Sequence, residues 1–263
     1  MLEIRNLNVI FNQGEIEEKE AIKDLNLKVE TGDFITIIGS NGAGKSTLFN
    51  AISGNIELTS GQILLEGKDI TYMKDYKRSK VIGRLYQDPY SGTAPSMTIA
   101  ENLGLSFSRG KKQGLQLAIS KDDKKFFQEK LKKLNNGLDE RMNTKVKLLS
   151  GGQRQSLTLL MSTIVTPKVL LLDEHTAALD PKTSIEIMNL TKEIIEENKI
   201  TTLMITHNIE DALNYGNKTI VMNKGQIILI LDEKQKAEMT IEDILKLYNQ
   251  HLITVSDVNV LKE

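Results

Sequence analysis

Residues 34–53 read FITIIGSNGAGKSTLFNAIS, which is an apolar strand, a glycine-rich loop and a helical pattern in direct succession. The loop matches G-x-x-x-x-G-K-[ST], and the strand before it and the helix after it are the setting that this phosphate-binding motif requires. Its backbone N–H groups can surround phosphate oxygens, and the helix N-terminus adds a positive dipole. The predicted phosphate site consists of Gly39, Ser40, Asn41, Gly42, Ala43, Gly44, Lys45, Ser46 and Thr47.

Three side chains of this loop have separate predicted roles. Lys45 reaches the β- and γ-phosphates, and Ser46 offers its hydroxyl to Mg²⁺. Thr47 is placed to contact the α-phosphate. The motif therefore predicts that a nucleoside triphosphate binds here together with Mg²⁺.

A second buried strand ends in two adjacent carboxylates. Residues 169–172 are apolar, and Asp173 and Glu174 follow them at the edge of the sheet where α/β proteins bind ligands. We expect Asp173 to bind Mg²⁺, usually through water, and Glu174 to orient the attacking water or accept its proton. The pair predicts in-line attack of water on a γ-phosphate.

Residues 149–155 read LSGGQRQ and predict a second anion-binding helix N-terminus. Ser150 is a favourable N-cap, and the glycines Gly151 and Gly152 follow it directly, before Gln153. Two anion sites in one chain, separated by a long helical segment, make sense if the second completes the nucleotide site of a partner molecule.

The rest of the chain alternates short apolar runs with helical patterns, which indicates βαβ units and a parallel sheet. Strands are predicted at residues 2–11, 21–30, 34–38, 59–67, 169–172, 201–205, 219–222 and 226–231, the last two forming a hairpin around residues 223–225, and helices at 45–53, 183–198 and about 240–248. Helical signals dominate residues 88–166, where Ser120 and Asp123 are predicted to cap a helix that extends to Gly137.

Composition argues against several classes of function. The formal net charge of −1 lacks the basic excess of a dedicated nucleic-acid binder. The chain has no cysteine, which fits a reducing compartment and excludes disulfides and thiolate chemistry. The N-terminal sequence does not resemble a secretory signal, and no apolar run approaches about 18 residues. We therefore expect a cytoplasmic protein that neither is exported nor spans a membrane.

The set and order of these motifs resemble those of the ABC ATPase family over residues 1–231. The resemblance implies an α/β fold with a P-loop NTPase core and a mainly parallel sheet, preceded by an N-terminal antiparallel β subdomain. It also implies an inserted α-helical subdomain at about residues 88–166 and a short helical tail at 232–263. The implied cofactors are ATP and Mg²⁺, and the implied activity is ATP hydrolysis coupled to transport.

The resemblance also assigns roles outside the glycine-rich loops. Phe11 resembles the aromatic residue that stacks on adenine, Gln87 the glutamine that senses the γ-phosphate and contacts Mg²⁺, and His207 the catalytic switch histidine. Residues 178–180, Ala-Leu-Asp, resemble the loop that contacts the partner chain. Each single residue has an ordinary alternative: packing for Phe11, a surface loop for Gln87 and an incidental position for His207.

Members of this family form head-to-tail homodimers around two ATP molecules. By resemblance, residues 150–153 of one chain are expected to contact the γ-phosphate that Lys45 of the other chain binds. His175 departs from the family, in which proline more often follows the catalytic glutamate. We expect no catalytic role for His175.

The resemblance implies a motor subunit at the inner face of the cell membrane, bound to separate membrane-spanning permease subunits. Residues 173–181, DEHTAALDP, look like those of an importer of a small solute, with amino acids as one candidate class, which implies an extracytoplasmic solute-binding protein in the same system. No nucleic-acid partner is expected, and the transported substrate cannot be deduced from this chain.

Three alternatives remain at this point: the ATPase of an exporter, a soluble ABC ATPase that acts on DNA or ribosomes, and an ordinary P-loop kinase or GTPase. The soluble class carries coiled-coil insertions or two cassettes, which 263 residues cannot contain. A kinase or GTPase would have no use for residues 149–155.

Two further stretches have no assigned role. Residues 109–133 contain nine Lys or Arg against three Asp or Glu, which predicts a solvated helix face or, alternatively, a contact with anionic lipid headgroups. The tail after Asp232 is too short for the regulatory domain that some importers append, so we expect no ligand-gating module.

Overall fold

The computed structural model describes residues 1–109 and 119–250. These residues divide into two compact units: the first contains Met1–Arg78 and residues 201–250, and the second contains the described part of Ser79–Ile200. The phosphate loop lies in the first unit, whereas the two carboxylates and the LSGGQ sequence lie in the second.

The described residues form ten strands and nine α-helices. In chain order, the strands are β1 (Leu2–Phe11), β2 (Lys19–Val29), β3 (Phe34–Gly39), β4 (Ser60–Leu65), β5 (Lys68–Asp69), β6 (Ile82–Leu85), β7 (Val169–Asp173), β8 (Thr201–Ile205), β9 (Lys218–Asn223) and β10 (Gln226–Leu231). The helices are α1 (Lys45–Ser53), α2 (Asp75–Arg78), α3 (Ile99–Ser108), α4 (Lys121–Lys132), α5 (Gly151–Thr163), α6 (Pro181–Asn198), α7 (Ile209–Asn214), α8 (Glu233–Glu238) and α9 (Ile241–Gln250).

An antiparallel sheet in the first unit contains four strands in the order β2-β1-β4-β5. Its strands alternate between buried and exposed residues, as in β2, where Leu25, Leu27 and Val29 are buried and the residues between them are exposed. This period of two is typical of a sheet with one face in the core and the other in water.

The other strands of the first unit are hydrogen-bonded in the order β10-β9-β3-β8. β3 runs parallel to β8 and β9 and is buried along almost its whole length, as apolar parallel strands usually are. β9 and β10 form the predicted hairpin, and its turn residues Lys224 and Gly225 have φ of 45° and 78°. A two-residue turn with positive φ at both positions fits the right-handed twist of the strands.

In the second unit, β6 and β7 pair in parallel, and α3, α4 and α5 pack around an apolar core. The buried residues of this core are Ile99, Leu103, Phe127, Leu131, Leu134, Leu138, Val146, Leu149, Leu157, Leu160, Met161 and Ile164. The predicted cap of α4 is confirmed, because Ser120 Oγ accepts from the Asp123 N–H and the Asp123 carboxylate accepts from the Ser120 N–H, both at 3.0 Å. The predicted extension of α4 to Gly137 is wrong: the helix ends at Lys132, and Asn135 has φ of 49°.

Two predictions concern stretches that the structure describes only in part. Residues 110–118 of the basic stretch 109–133 and residues 251–263 of the tail lie outside the described residues. Within the described part of the chain, no helix combines the length and the apolar character needed to cross a membrane.

The C-terminal end of α1 is anchored by the buried side chain of Arg78. Its guanidinium donates to the carbonyl oxygens of Ala51 at 2.7 Å and Ile52 at 2.8 Å, both in the last turn of α1. It also donates to the carbonyl oxygens of Thr71 at 2.7 Å and Met73 at 2.8 Å. A cation at a helix C-terminus satisfies carbonyls that have no partner in the helix and interacts favourably with the helix dipole.

We predict that Arg78→Met lowers the free energy of unfolding by about 3 kcal/mol, because buried carbonyls lose a charged donor. Arg78→Lys keeps the charge but reaches fewer carbonyls, so its loss should be smaller. Arg5→Met, which removes a guanidinium from an exposed pair with Glu3, is the control and should leave the stability unchanged. Urea denaturation measures all three variants, and equal losses for Arg5→Met and Arg78→Met would contradict the anchoring role.

Candidate functional site

The phosphate loop of the first unit connects β3 to α1 in a tight backbone turn. Lys45 is buried, and its Nζ donates to the carbonyl oxygens of Gly39 at 2.5 Å and Ser40 at 3.1 Å. Ser46 is exposed and Thr47 is half-buried. The loop therefore combines a cation and an exposed hydroxyl at the start of a helix, which is the combination that binds phosphate and Mg²⁺.

Two glycines of the loop are required by close backbone contacts. A Cβ atom at Gly39 would lie 2.4 Å from the carbonyl oxygen of Met222, and one at Gly44 would lie 2.6 Å from that of Ala21. Gly44 also has φ of 100°, a conformation that residues with a side chain rarely adopt. A side chain at either position would displace the loop or the strand behind it.

The hairpin of β9 and β10 forms a wall behind the phosphate loop. The Gly225 N–H donates to the Ala43 carbonyl at 3.0 Å, and the Gly225 carbonyl accepts from the Lys23 N–H at 3.0 Å. The turn of the hairpin thus connects the loop to β2. This contact cannot be predicted from the phosphate-binding motif, because Lys23, Ala43 and Gly225 lie far apart in the sequence.

Phe11 and His207 also lie in the first unit. Phe11 ends β1, and 39% of its surface is exposed, so its ring is accessible for stacking. His207 follows β8 by two residues. Ile37 and Ile205 are register partners, and Gly39 and His207 each lie two residues further along the chain. Gly39 and His207 are therefore at the same end of the paired strands β3 and β8. The topology therefore brings the predicted switch histidine to the strand edge from which the phosphate loop begins.

In the second unit, Gln87 and Glu174 share a strand edge in the same way. Leu85 and Leu172 are register partners in the parallel pair of β6 and β7, and each predicted residue lies two positions further along its strand. Gln87 is exposed and Glu174 is half-buried. Glu174 has φ of 47°, an uncommon value for a residue with a side chain.

Asp173, the last residue of β7, forms a buried ion pair with Arg84 of β6. Arg84 Nη2 lies 2.9 Å from Asp173 Oδ2, and both side chains are largely buried. The guanidinium also lies over the ring of Tyr86, with its central carbon 4.6 Å from the ring centroid. The carboxylate of Asp173 is thereby held at the end of β7 by a cation, with its charge compensated within the protein.

The LSGGQ sequence starts α5 with the predicted cap. Ser150 Oγ accepts from the Gln153 N–H at 3.2 Å, and Gln153 Oε1 accepts from the Ser150 N–H at 3.4 Å. This reciprocal pair is a capping box, which stabilises the first turn of a helix. The Gln153 amide also donates to the Asn136 carbonyl at 3.3 Å, so it has a structural role besides any contact with nucleotide.

Residues 150–153 and 178–180 line the same groove of the second unit, which has a volume of about 540 Å³. Asp180 caps α6 by accepting from the Thr183 N–H at 3.1 Å, and this hydrogen bonding lowers the pKa of Asp180. A Cβ atom at Gly152 would lie 2.4 Å from Thr183 Cγ2. The glycine therefore lets the N-termini of α5 and α6 approach each other, and both contribute a positive dipole to the groove.

The segment after Gln87 contacts α5 directly. Tyr90 packs its ring against the guanidinium of Arg154, whose central carbon lies 3.7 Å from the ring centroid. Arg154 is buried and donates to the Leu149 carbonyl at 3.0 Å, just before the cap residue Ser150. A cation–π contact of this kind links the Gln87 segment to the start of α5.

The predicted site residues are thus distributed over both units. Phe11, His207 and residues 39–47 belong to the first unit; Gln87, Asp173, Glu174 and residues 150–153 belong to the second. Among residues 1–109 and 119–250, no group of three or more His, Asp or Glu side chains is positioned to bind a metal by itself.

Comparison with known proteins identifies the family. The sequence profile of the ABC transporter family matches residues 22–177, more than half of the chain. A tyrosine transport ATP-binding protein of Clostridioides difficile (strain R20291) is 47% identical over 246 residues, which cover 94% of this chain and 98% of that protein. The chain belongs to the ABC transporter family. It is an ABC transporter ATP-binding domain and an ATPase, as the resemblance of its motifs implied.

Two further comparisons extend this result. The methionine import ATP-binding protein MetN of Aliivibrio fischeri (strain ATCC 700601 / ES114) is 34% identical over 233 residues, covering 87% of this chain and 64% of MetN. A dimeric structure of a post-hydrolysis state of the ATP-binding cassette MJ0796, bound to ADP and Pi, matches with a TM-score of 0.74 and 27% identity. The match covers 89% of this ABC ATPase and 99% of MJ0796. The predicted ABC ATPase fold, which binds ATP, is confirmed.

We predict that Arg84→Met destabilises this ABC ATPase by about 3 to 5 kcal/mol, because the Asp173 carboxylate would remain buried without its cation. Adding Asp173→Asn to that variant removes the stranded charge and should restore much of the loss. Urea denaturation of both variants and of Asp173→Asn alone gives the coupling energy of the pair. Additive effects would mean that the ion pair contributes nothing to the fold.

Proposed function

We propose that the chain is the ATPase subunit of an importer of amino acids, and that it dimerises around two MgATP to drive separate permease subunits. The observation that carries this proposal is the 47% identity to a tyrosine transport ATP-binding protein over 94% of the chain. The methionine import relative supports the same class of substrate. The presence of both halves of a composite nucleotide site supports the dimer.

In this proposal the first unit binds the nucleotide. Phe11 stacks on adenine, residues 39–47 surround the phosphates, and Lys45 contacts the β- and γ-phosphates. The carbonyl oxygens that now accept from Lys45 Nζ are neutral, so a phosphate oxyanion would be the stronger partner. Lys45 Nζ is therefore already held within the loop, and it can exchange these carbonyls for a phosphate oxygen without any rearrangement of the backbone.

The residues around the carboxylates supply the hydrolytic chemistry. By the family resemblance, Ser46, Gln87 and Asp173 would each offer an oxygen atom to Mg²⁺, the kind of donor that this ion prefers. When bound, Mg²⁺ neutralises charge on the β- and γ-phosphates. Glu174 orients the attacking water and accepts its proton, and His207 assists from the edge of β8.

The second nucleotide contact comes from the partner chain. The groove that contains residues 150–153 has two helix N-termini and the predicted dimer-contact loop 178–180, which supports an anion site that is completed by another molecule. The γ-phosphate bound at Lys45 of one chain would occupy this groove of the other. Because ATP then stabilises the dimer and ADP does not, hydrolysis opens it.

Transport follows from this cycle. The opening and closing of the dimer moves permease subunits bound at the cytoplasmic face of the membrane, and an extracytoplasmic solute-binding protein delivers the amino acid. The contact of Tyr90 with Arg154 links the Gln87 segment to the start of α5. Through this contact, a movement of Gln87 on loss of the γ-phosphate would also move α5 and its cap.

We predict that Glu174→Gln binds ATP but loses turnover by at least about a hundredfold, because the amide cannot accept a proton. With ATP and Mg²⁺ the variant should sediment as a dimer, whereas with ADP it should sediment as a monomer. Lys45→Ala is the contrasting variant, and it should lose ATP affinity instead. Wild-type turnover by Glu174→Gln would remove Glu174 from its assigned role, and a monomer at saturating ATP would count against the shared site.

The substrate class has its own test. We predict that this chain, reconstituted in liposomes with permease subunits and a solute-binding protein of the same organism, hydrolyses ATP faster when tyrosine is supplied to the solute-binding protein. Other amino acids and a sugar serve as comparison solutes, and the Glu174→Gln complex gives the background rate. Stimulation by the sugar and by no amino acid would contradict the proposed substrate class.

A further inference from the structure

The seven residues from Glu174 to Asp180 connect β7 to α6 in a compact succession of turns. The Glu174 carbonyl accepts from the Ala177 N–H at 3.0 Å, and the Thr176 carbonyl accepts from the Leu179 N–H at 3.1 Å. Glu174 starts this connection with a left-handed backbone, φ of 47°. A residue with a side chain keeps such a conformation only where its surroundings enforce it.

His175 fixes this connection to α6 from within the core. Its side chain is buried, with 3% of the residue exposed, and its Nε2 lies 3.1 Å from Thr191 Oγ1. Thr191 is fully buried on α6, and its hydroxyl donates to the Ile187 carbonyl at 2.7 Å. The contact therefore joins the turn after Glu174 to the middle of a long helix.

The hydrogen bonds determine which nitrogen of His175 carries the proton. A threonine hydroxyl has one proton, and that of Thr191 is donated to Ile187. The His175 Nε2 must therefore be the donor to Thr191 Oγ1. This pattern of hydrogen bonds corresponds to the imidazole tautomer protonated on Nε2.

We propose that His175 is a positioning residue for Glu174, because its buried hydrogen bond to Thr191 immobilises the turn that carries the Glu174 carboxylate. The proposal rests on the proposed role of Glu174 in hydrolysis. His175 touches neither nucleotide nor water in this role; it acts through the backbone of its neighbour. A carboxylate that must align a water molecule tolerates displacements of only a fraction of an ångström, so loss of this anchor reduces the rate of the chemical step.

This role differs from that of an apolar filler in one testable respect. If His175 only filled space, leucine would replace it with little effect on turnover. If it donates a hydrogen bond, glutamine should replace it better, because the Nε2 amide of glutamine occupies the same place along the side chain as the imidazole Nε2. Both substitutions alter packing, so their comparison isolates the hydrogen bond.

The experiment measures ATPase activity of the full chain against ATP concentration, together with equilibrium ATP binding and thermal unfolding. We expect His175→Leu to lower kcat about tenfold and to change KM and ATP affinity less than about twofold, because the nucleotide contacts remain. His175→Gln should recover most of the lost kcat. Thr191→Val should resemble His175→Leu, and the double variant should lose no more than either single one, because both remove the same contact.

A matched control is available in the same unit. Thr163 is a buried threonine of α5 whose hydroxyl donates to the Leu159 carbonyl at 2.8 Å, as that of Thr191 donates to Ile187. Thr163→Val therefore removes the same kind of helix contact without touching the turn after Glu174. We expect it to affect thermal unfolding and to leave kcat unchanged.

Three results would overturn the proposal: wild-type kcat in His175→Leu or Thr191→Val, no recovery of kcat in His175→Gln relative to His175→Leu, or a loss in Thr163→Val equal to that in Thr191→Val. If His175→Leu does not fold, Thr191→Val and His175→Gln still decide between the outcomes. Glu174→Gln is measured alongside. Normal turnover in that variant would reject the role of Glu174 itself, whereas its inactivity with a normal His175→Leu would reject only the anchor.

Discussion

Backbone N–H groups bind a phosphate only if the chain can approach it closely, and a Cβ atom at the wrong position prevents this. A Cβ atom would also prevent close packing within the protein: Gly39 and Gly44 pack against backbone carbonyls of β9 and β2 in the first unit. In the second unit, Gly152 packs against Thr183 where α5 and α6 converge. Several strands and helices can therefore pack at their observed positions only because these three residues have no side chain.

The two adjacent carboxylates illustrate how neighbouring residues acquire different chemistry. In a regular strand, Asp173 and Glu174 would point to opposite faces. Asp173 completes β7 and is neutralised by Arg84, so it belongs to the rigid core of the second unit. Glu174 follows the strand with a left-handed backbone conformation. The direction of its side chain is therefore not set by the alternation of side chains between the two faces of the strand. The ion pair with Arg84 compensates for the burial of Asp173, whereas the backbone conformation sets the direction of Glu174.

Local patterns in the sequence predicted much of the fold and most of the candidate site. The phosphate loop, the LSGGQ cap and the hairpin near Gly225 depend on residues close in sequence, so their chemistry is visible in a short window. β6 was not predicted, because it has four residues and includes Gly83 and Arg84, which break an apolar run. The end of α4 was misplaced because Gly137 appeared a stronger stop signal than Asn135, where the backbone becomes left-handed.

Contacts between distant segments could not be predicted in this way. Three such contacts are the ion pair of Arg84 with Asp173, the stacking of Tyr90 on Arg154 and the hydrogen bond of His175 to Thr191 of α6. No rule of sequence spacing identifies the partner of any of these residues. The side chains of Arg84, Asp173, Arg154 and His175 are buried, so each requires a partner supplied by the tertiary fold. The sequence marks such residues as unusual, as it did for His175, without naming the partner.

The wall behind the phosphate loop has a consequence for how the chain is made. The motif is complete once residue 47 has been synthesised, but the Gly225 N–H that supports Ala43 appears only after most of the remaining chain. A nascent chain therefore exposes its phosphate loop long before the loop acquires its final support. Because domains fold as units and contacts between distant residues form late, ATP would meet a rigid site only near the end of translation.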